Sequence, residues 1–257
     1  MAQLALHQVS KFFGGLAAIN ELDMSVNQGE VIGLIGPNGA GKTTIFNVIA
    51  GELKPSAGKV VYEGKDISGL KPHQVSKIGI VRTFQIETLF NGYTALENVL
   101  VGLHLRSNIG FIEAVLNTRS NHRKEMKLYD DALELLYFIG IEDVMDEPAE
   151  SLPHGLQRKL GVAISLASRP KVLLLDEPLT GMNPSESMEM IETIRKIRDH
   201  YGTTLLVVEH NMRAVMKLCE RIVVINSGMK IAEGTPREIQ DNPQVIEAYL
   251  GGDDHAA

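Results

Sequence analysis

The run G-P-N-G-A-G-K-T at 36–43 has the residue types and spacing of a phosphate-binding loop, G-x-x-x-x-G-K-[ST]. Its glycines let the backbone curl until successive N–H groups face one anion. A helix opening at the end of the loop adds its partial positive charge. Asn38, Gly39, Ala40, Gly41, Lys42, Thr43 and Thr44 would then surround a triphosphate. Lys42 would reach the β- and γ-phosphates, and the Thr43 hydroxyl would ligate Mg2+. The plainer alternative is a glycine-rich turn with an exposed lysine. The setting argues against it, because the apolar run V-I-G-L-I (31–35) precedes the loop and helical periodicity follows it.

Such a site needs an acid for its metal. K-V-L-L-L-D-E-P (171–178) offers a buried strand that delivers Asp176 at its C-terminal end, where open α/β sheets place ligands. Asp176 would hold Mg2+ through water, and Glu177 could accept a proton from the attacking water. Alone, four apolar residues before Asp-Glu read as a strand running into a turn; the loop at 36–43 favours the chemical reading. T-T-L-L-V-V-E-H (203–210) is a further buried strand, ending in His210. A lone histidine after a strand is usually structural, but on this edge of the sheet it could meet a γ-phosphate. Both readings stay open from the residues alone.

The elements that must position these groups follow from periodicity. Residues 3–9 and 22–26 alternate as half-buried strands, and Lys59–Tyr62 reads as another, closed by the turn Glu63-Gly64. Residues 43–53 form a helix in which Ile45, Val48 and Ile49 share a face and Leu53 extends it. Within the helical middle, roughly 88–168, Leu128, Ala132, Leu135, Leu136 and Ile139 recur at helical spacing and Gly140 stops the run. The basic residues of 119–127 read as a solvated helix start or loop, in preference to a lipid or partner contact. After 170, strands at 172–175, 204–208 and 222–226 alternate with helices near 185–200 and 211–219, the pattern of a parallel sheet.

Composition bounds the role. The 257 residues are 44% hydrophobic, an ordinary globular content, and a net charge of −7 argues against broad nucleic-acid binding. The single cysteine, Cys219, reads as a small apolar helix residue and fits a reducing compartment. The start, M-A-Q-L-A-L-H-Q-V-S, lacks the features of a signal peptide, and no apolar run approaches a membrane span. The expectation is a cytoplasmic chain whose membrane business goes through a partner.

Taken in order, these pieces resemble the ATPase subunits of ABC transporters over nearly the whole chain. The resemblance implies an α/β P-loop NTPase (RecA-like) core with an N-terminal antiparallel β subdomain and an inserted α-helical subdomain. As one ABC ATPase domain, 1–257, the chain would divide into a nucleotide-binding core at 1–87 and 169–257 and a helical part at 88–168. Family motifs map onto 36–43 (Walker A), Gln85 in R-T-F-Q (the Q-loop), 172–176 (Walker B), Glu177 (catalytic glutamate) and His210 (switch histidine). Gln85 would sense the γ-phosphate and Mg2+. Phe13 in S-K-F-F-G-G stands where the family stacks an aromatic on adenine, with Phe12 assigned to the core and a swap left open. Within the family, F-G-G-L-A-A-I-N, G-I-V-R-T-F-Q, T-A-L-E-N-V-L-V-G, G-M-N-P and the end G-T-P-R-E-I-Q-D-N-P-Q-V-I-E-A-Y-L-G resemble branched-chain amino acid importer ATPases. Asn183 in G-M-N-P, in place of an aspartate, reads as a mark of that group. Amide and urea importers share much of the pattern, and a soluble ABC-type switch for repair or translation is the reading from another class.

The implied cofactors are ATP and Mg2+. The implied partners are membrane permease subunits, touched by the loop at about 86–95, a second ATPase subunit, and indirectly a solute-binding protein. The implied location is the inner face of the plasma membrane. The family signature L-S-G-G-Q falls on Leu152, Pro153, His154, Gly155 and Leu156, the segment that acts on the partner subunit's ATP. Proline there has neither hydroxyl nor N–H, and leucine removes the glutamine amide. Gly155 and a helix N-terminus survive, so the signature is worn. In an asymmetric pair the damage would fall on the opposite nucleotide.

Overall fold

The structure is a computed structural model that describes residues 2–83, 89–90, 92–106 and 119–250. It divides into two compact units, one from Met1–Arg82, Lys171–Thr180 and Ser187–Ala257, the other from Thr83–Pro170 and Gly181–Glu186.

The first unit holds two sheets. β1 (Ala2–Phe13) and β2 (Leu16–Asn27) form an antiparallel hairpin, and with β4 (Ala57–Tyr62) and β5 (Lys65–Asp66) make a four-stranded sheet in the order β2-β1-β4-β5. Both hairpin strands outrun the alternation visible in the sequence, because register shifts along their pairing interrupt the simple period. The second sheet contains β3 (Val31–Ile35), β6 (Ile80–Arg82), β7 (Val172–Asp176), β8 (Thr204–Val208), β9 (Arg221–Asn226) and β10 (Met229–Gly234), ordered β10-β9-β3-β8-β7-β6. Every neighbouring pair is parallel except β9–β10. β3 and β8 are buried along their whole length, as expected for parallel strands covered on both faces. β10 is joined to β9 by Ser227-Gly228, both with positive φ, as a tight two-residue hairpin requires.

Helix α1 (Lys42–Ile49) follows β3 and is shorter than the periodicity suggested. It ends before Gly51, whose φ of +76° breaks the helix, and a Cβ there would stand 2.6 Å from the Leu70 carbonyl oxygen. Leu53 therefore packs on the core from beyond the helix end, not as its last turn. Ile45, Phe46 and Ile49 bury the inner face of α1 among residues such as Leu6, Ile19, Leu34, Val60 and Leu174.

In the second unit, α3 (Ala95–Arg106), α4 (Arg119–Ile139) and α5 (His154–Ala167) form the helical part; the intervening α2 (Pro72–Lys77) belongs to the first. A reciprocal cap starts α3: the Thr94 N–H donates to Glu97 and the Glu97 N–H to the Thr94 hydroxyl. Ala132, Leu135, Leu136 and Ile139 are buried on α4, as their spacing predicts, and Leu128 is half-buried. Gly102 lets α3 approach α5, since a Cβ there would lie 3.0 Å from the Ile164 carbonyl oxygen. Helix α6 (Pro184–Tyr201) is capped by Asn183, whose side-chain oxygen accepts the Ser185 and Glu186 N–H groups. The asparagine of G-M-N-P thus fills a capping role open equally to aspartate. The remaining helices are α7 (Met212–Leu218), α8 (Pro236–Gln240) and α9 (Pro243–Leu250). Cys219 is buried just past α7, not within it.

Phe46 is fully buried where α1 meets both sheets. Phe46→Ala is expected to cost about 3–5 kcal/mol of stability, measured by urea unfolding of the full chain.

Candidate functional site

The carboxyl ends of β3, β8 and β7 emerge side by side, with Val208 opposite both Leu34 and Asp176. The loop after β3 runs to Gly41, whose φ is +105° and whose Cβ would collide with the Ala18 carbonyl oxygen at 2.4 Å. Only glycine satisfies both demands. The loop is also tied to the β9–β10 turn, where the Gly228 N–H donates to the Ala40 carbonyl at 3.0 Å. Lys42 is buried, and its ammonium donates to the carbonyls of Gly36 at 2.7 Å and Pro37 at 2.9 Å. Burial pulls its pKa below the ordinary lysine value, against the opposing pull of Glu177 and Asp176.

A cavity of about 490 Å³ opens on this loop. Asn38, Gly39, Ala40, Gly41, Lys42, Thr43 and Thr44 line it, together with Phe13 and its neighbours on the hairpin, Glu177, and the Ser227-Gly228 turn. Phe13 lines the cavity and Phe12 does not. Phe12 is no core residue either: beside the turn that joins β1 to β2, both residues are 47% exposed. Lys11 holds its ammonium 5.3 Å from the centre of the Phe13 ring, a cation–π contact.

Asp176 ends β7, and its Oδ2 accepts a 2.5 Å hydrogen bond from Arg82. Arg82 also reaches Asn47 at 2.7 Å and Glu52 at 3.1 Å, so one guanidinium joins the acid-bearing strand to the helix after the phosphate loop. Sequence reasoning gave Arg82 no role; its one signal was a cation at the end of the apolar run G-I-V. Glu177 follows with φ +47°, a conformation that costs most side-chain-bearing residues about 1–2 kcal/mol. Its N–H donates to the Val208 carbonyl at 2.9 Å, and Thr180 donates its hydroxyl to the Glu177 carboxylate at 3.2 Å. His210 places Nδ1 4.0 Å from Glu177 Oε1, with both side chains substantially exposed. Gln85 lies outside the described residues.

Among the described residues no group of three or more His, Cys, Asp or Glu side chains could hold a metal ion. Mg2+ does not demand one. It is usually held by one or two protein oxygens, with phosphates and waters supplying the rest. Thr43 on the cavity and Asp176 at the strand end are oxygen donors of that kind.

The signature segment lies in the helical unit. Leu152 is buried, Pro153 and His154 are exposed, Gly155 is buried and Leu156 half-buried. Pro153 occupies the position before α5 and supplies no side-chain cap. A Cβ on Gly155 would stand 3.3 Å from the Glu186 carboxyl carbon. Gln157 does not replace the missing amide of Leu156, because it is buried and donates to the Ala149 carbonyl at 3.0 Å.

A parallel sheet that delivers a phosphate loop, an acid pair and a histidine to one edge defines a P-loop nucleotide-binding cassette. Residues 19–180 match the ABC transporter family model, and 229–255 match the model for the branched-chain amino acid ATP-binding cassette transporter. The chain belongs to the ABC transporter family. It is 41% identical to the high-affinity branched-chain amino acid transport ATP-binding protein LivG of Salmonella typhimurium, over 96% of this chain and 97% of the relative. Among solved structures it resembles a nucleotide-free ATP-binding cassette from an ABC transporter, at a TM-score of 0.84 and 30% identity, covering 97% of this chain and 99% of that one. It also resembles the dimeric bacterial ABC transporter cassette MJ0796, at a TM-score of 0.77 and 25% identity over 91% of this chain and 99% of that one.

Removing Arg82 takes a 2.5 Å ion pair from a mostly buried carboxylate. Arg82→Met is expected to lower stability by about 1–3 kcal/mol, read by urea unfolding.

Proposed function

We propose that this chain is the ATP-hydrolysing subunit of an ABC importer that drives uptake of branched-chain or other hydrophobic amino acids through a membrane permease. One observation carries the reading: Lys42 and Glu177 line one cavity on the phosphate loop, Asp176 ends the strand just before Glu177, and His210 stands 4.0 Å from Glu177 past the end of the adjoining strand. The relatives named above supply the transport class.

In this reading the triphosphate lies in the 36–43 loop with its adenine on Phe13. Lys42 exchanges its two carbonyl acceptors for β- and γ-phosphate oxygens. Thr43, Asp176 and Gln85 would hold Mg2+, which would supply positive charge against the phosphates. A carboxylate has about four acceptor directions, so pairing with Arg82 and holding a metal-bound water are compatible at Asp176. Glu177 accepts the proton of the attacking water, and His210 donates to the γ-phosphate.

The working unit is a head-to-tail pair of ATPase subunits, in which the segment Leu152, Pro153, His154, Gly155 and Leu156 closes on the partner's ATP. Among the described residues no helix is long and apolar enough to cross a membrane, which fits a subunit held at the inner face of the membrane by its permease. Phe90 and Tyr93, stacked at 5.8 Å and both well exposed, offer the permease an aromatic foothold. A solute-binding protein would act from the permease's other side.

Glu177→Gln is expected to lower ATP turnover of the assembled transporter by about 100-fold or more while Mg-ATP binding persists, checked by phosphate release and by nucleotide retention. Full turnover would overturn the reading. If the worn signature handicaps the opposite site, Lys42→Ala will remove most turnover. The equivalent lysine change in the second ATPase will then remove little, and equal losses would refute the asymmetry.

A further inference from the structure

Glu209 takes no part in the chemistry above, yet it is 1% exposed, and no other carboxylate among the described residues is so fully buried. A buried carboxylate is costly unless hydrogen bonds replace its water. Here three backbone amides do so. Oε1 accepts the Leu179 N–H at 2.8 Å, and Oε2 faces the N–H groups of His210 at 3.2 Å and Asn211 at 3.4 Å.

These donors belong to two different loops. Leu179 lies two residues past Glu177, inside the turn closed by the Thr180 N–H on the Glu177 carbonyl. His210 and Asn211 open the loop into α7. The sheet no longer joins these segments: the pairing of β7 with β8 ends at Asp176 and Val208, and one bond from Glu177 to Val208 follows it. Beyond that point Glu209 supplies the cross-connection that the ladder lacks.

We propose that Glu209 is a positioning residue for hydrolysis, fixing the backbone after Glu177 to the backbone that carries His210 so that the two side chains keep a common geometry. The inference rests on the roles given to Glu177 and His210 above. Both side chains are exposed and 4.0 Å apart, so their own contact holds them weakly, and the rigidity must come from beneath. Burial raises the pKa of Glu209, and the amides of Leu179, Asn211 and His210 oppose that rise, as expected for a carboxylate recruited as an acceptor.

Glu209→Gln keeps the shape but turns an NH2 group toward one set of N–H donors, breaking one of the two connections. In the assembled transporter this change is expected to lower kcat by about 10- to 100-fold, with the KM for Mg-ATP within about twofold of wild type. Wild-type kcat, or a loss confined to KM, would overturn the proposal. A second measurement needs no variant: amide hydrogen exchange in the full chain should find Leu179, His210 and Asn211 strongly protected, although they lie beyond the strand ends. Exchange as fast as in exposed loops would also overturn it. Glu177→Gln, assayed in parallel, separates the two levels. If it leaves turnover intact, the functional reading fails; if it abolishes turnover and Glu209→Gln does not slow it, only the positioning role fails.

Discussion

The placement of β8 between β3 and β7 is the constraint on which the rest depends. Parallel strands point their carboxyl ends the same way, and this register sets Val208 against both Leu34 and Asp176. The phosphate loop, the acid pair and the histidine therefore start within about one residue of each other, although the sequence separates Lys42 from Asp176 and His210 by most of the chain. The apolar filling of the three strands holds that register, because both faces are buried. Chemistry at the edge is thus inherited from packing in the interior.

At that edge the structure concentrates charge and compensates it locally. Arg82 holds Asp176 and Glu52, Lys42 rests on carbonyls of its own loop, and Glu209 collects three amides. Glu177 combines a strained backbone with a carboxylate open to solvent, held by a backbone bond to Val208 and a side-chain bond from Thr180. Such strain persists only where the surroundings over-determine it. Among the described residues, packing and backbone bonds thus fix the groups proposed to act on phosphate, and the Lys42 ammonium would exchange its carbonyl acceptors for phosphate oxygens. This is the low-reorganisation arrangement that makes electrostatic stabilisation effective.

Much of this was legible in the sequence, for identifiable reasons. The phosphate loop announces itself because its chemistry lies within eight consecutive residues. β3, β7 and β8 were visible because burial on both faces makes each a continuous apolar run. β6 and β10 were not: three residues carry no period, and β10 is a partly exposed, polar edge strand recognisable only from the Ser227-Gly228 turn. Leu53 and Phe12 misled for a related reason, since apolar spacing cannot show where Gly51 ends a helix or where a hairpin leaves its sheet. Arg82 and Glu209 were illegible because their meaning lies in partners 94 and 30 residues away. The resemblance to a family located the groups proposed to touch nucleotide; the structure was needed to find those that hold them.

The worn signature follows the same division between backbone and side chain. With Pro153 before α5 and its carbonyl already accepting the Gln157 N–H, the segment offers phosphate only the unpaired amides of the first helical turn. A hydroxyl and an amide are gone relative to L-S-G-G-Q, and each hydrogen bond to a charged group is worth about 1.5–3 kcal/mol. Against this stands the helix dipole, worth about 0.3–1 kcal/mol at an exposed terminus. Glu186, whose carboxylate lies beside Gly155, offsets part of it by placing negative charge where phosphate would approach. Lost side-chain contacts outweigh what the backbone retains. In the head-to-tail pair proposed above, the deficit would belong to the nucleotide on the partner's phosphate loop, so an intact loop, acid pair and histidine could coexist in one chain with a weakened signature.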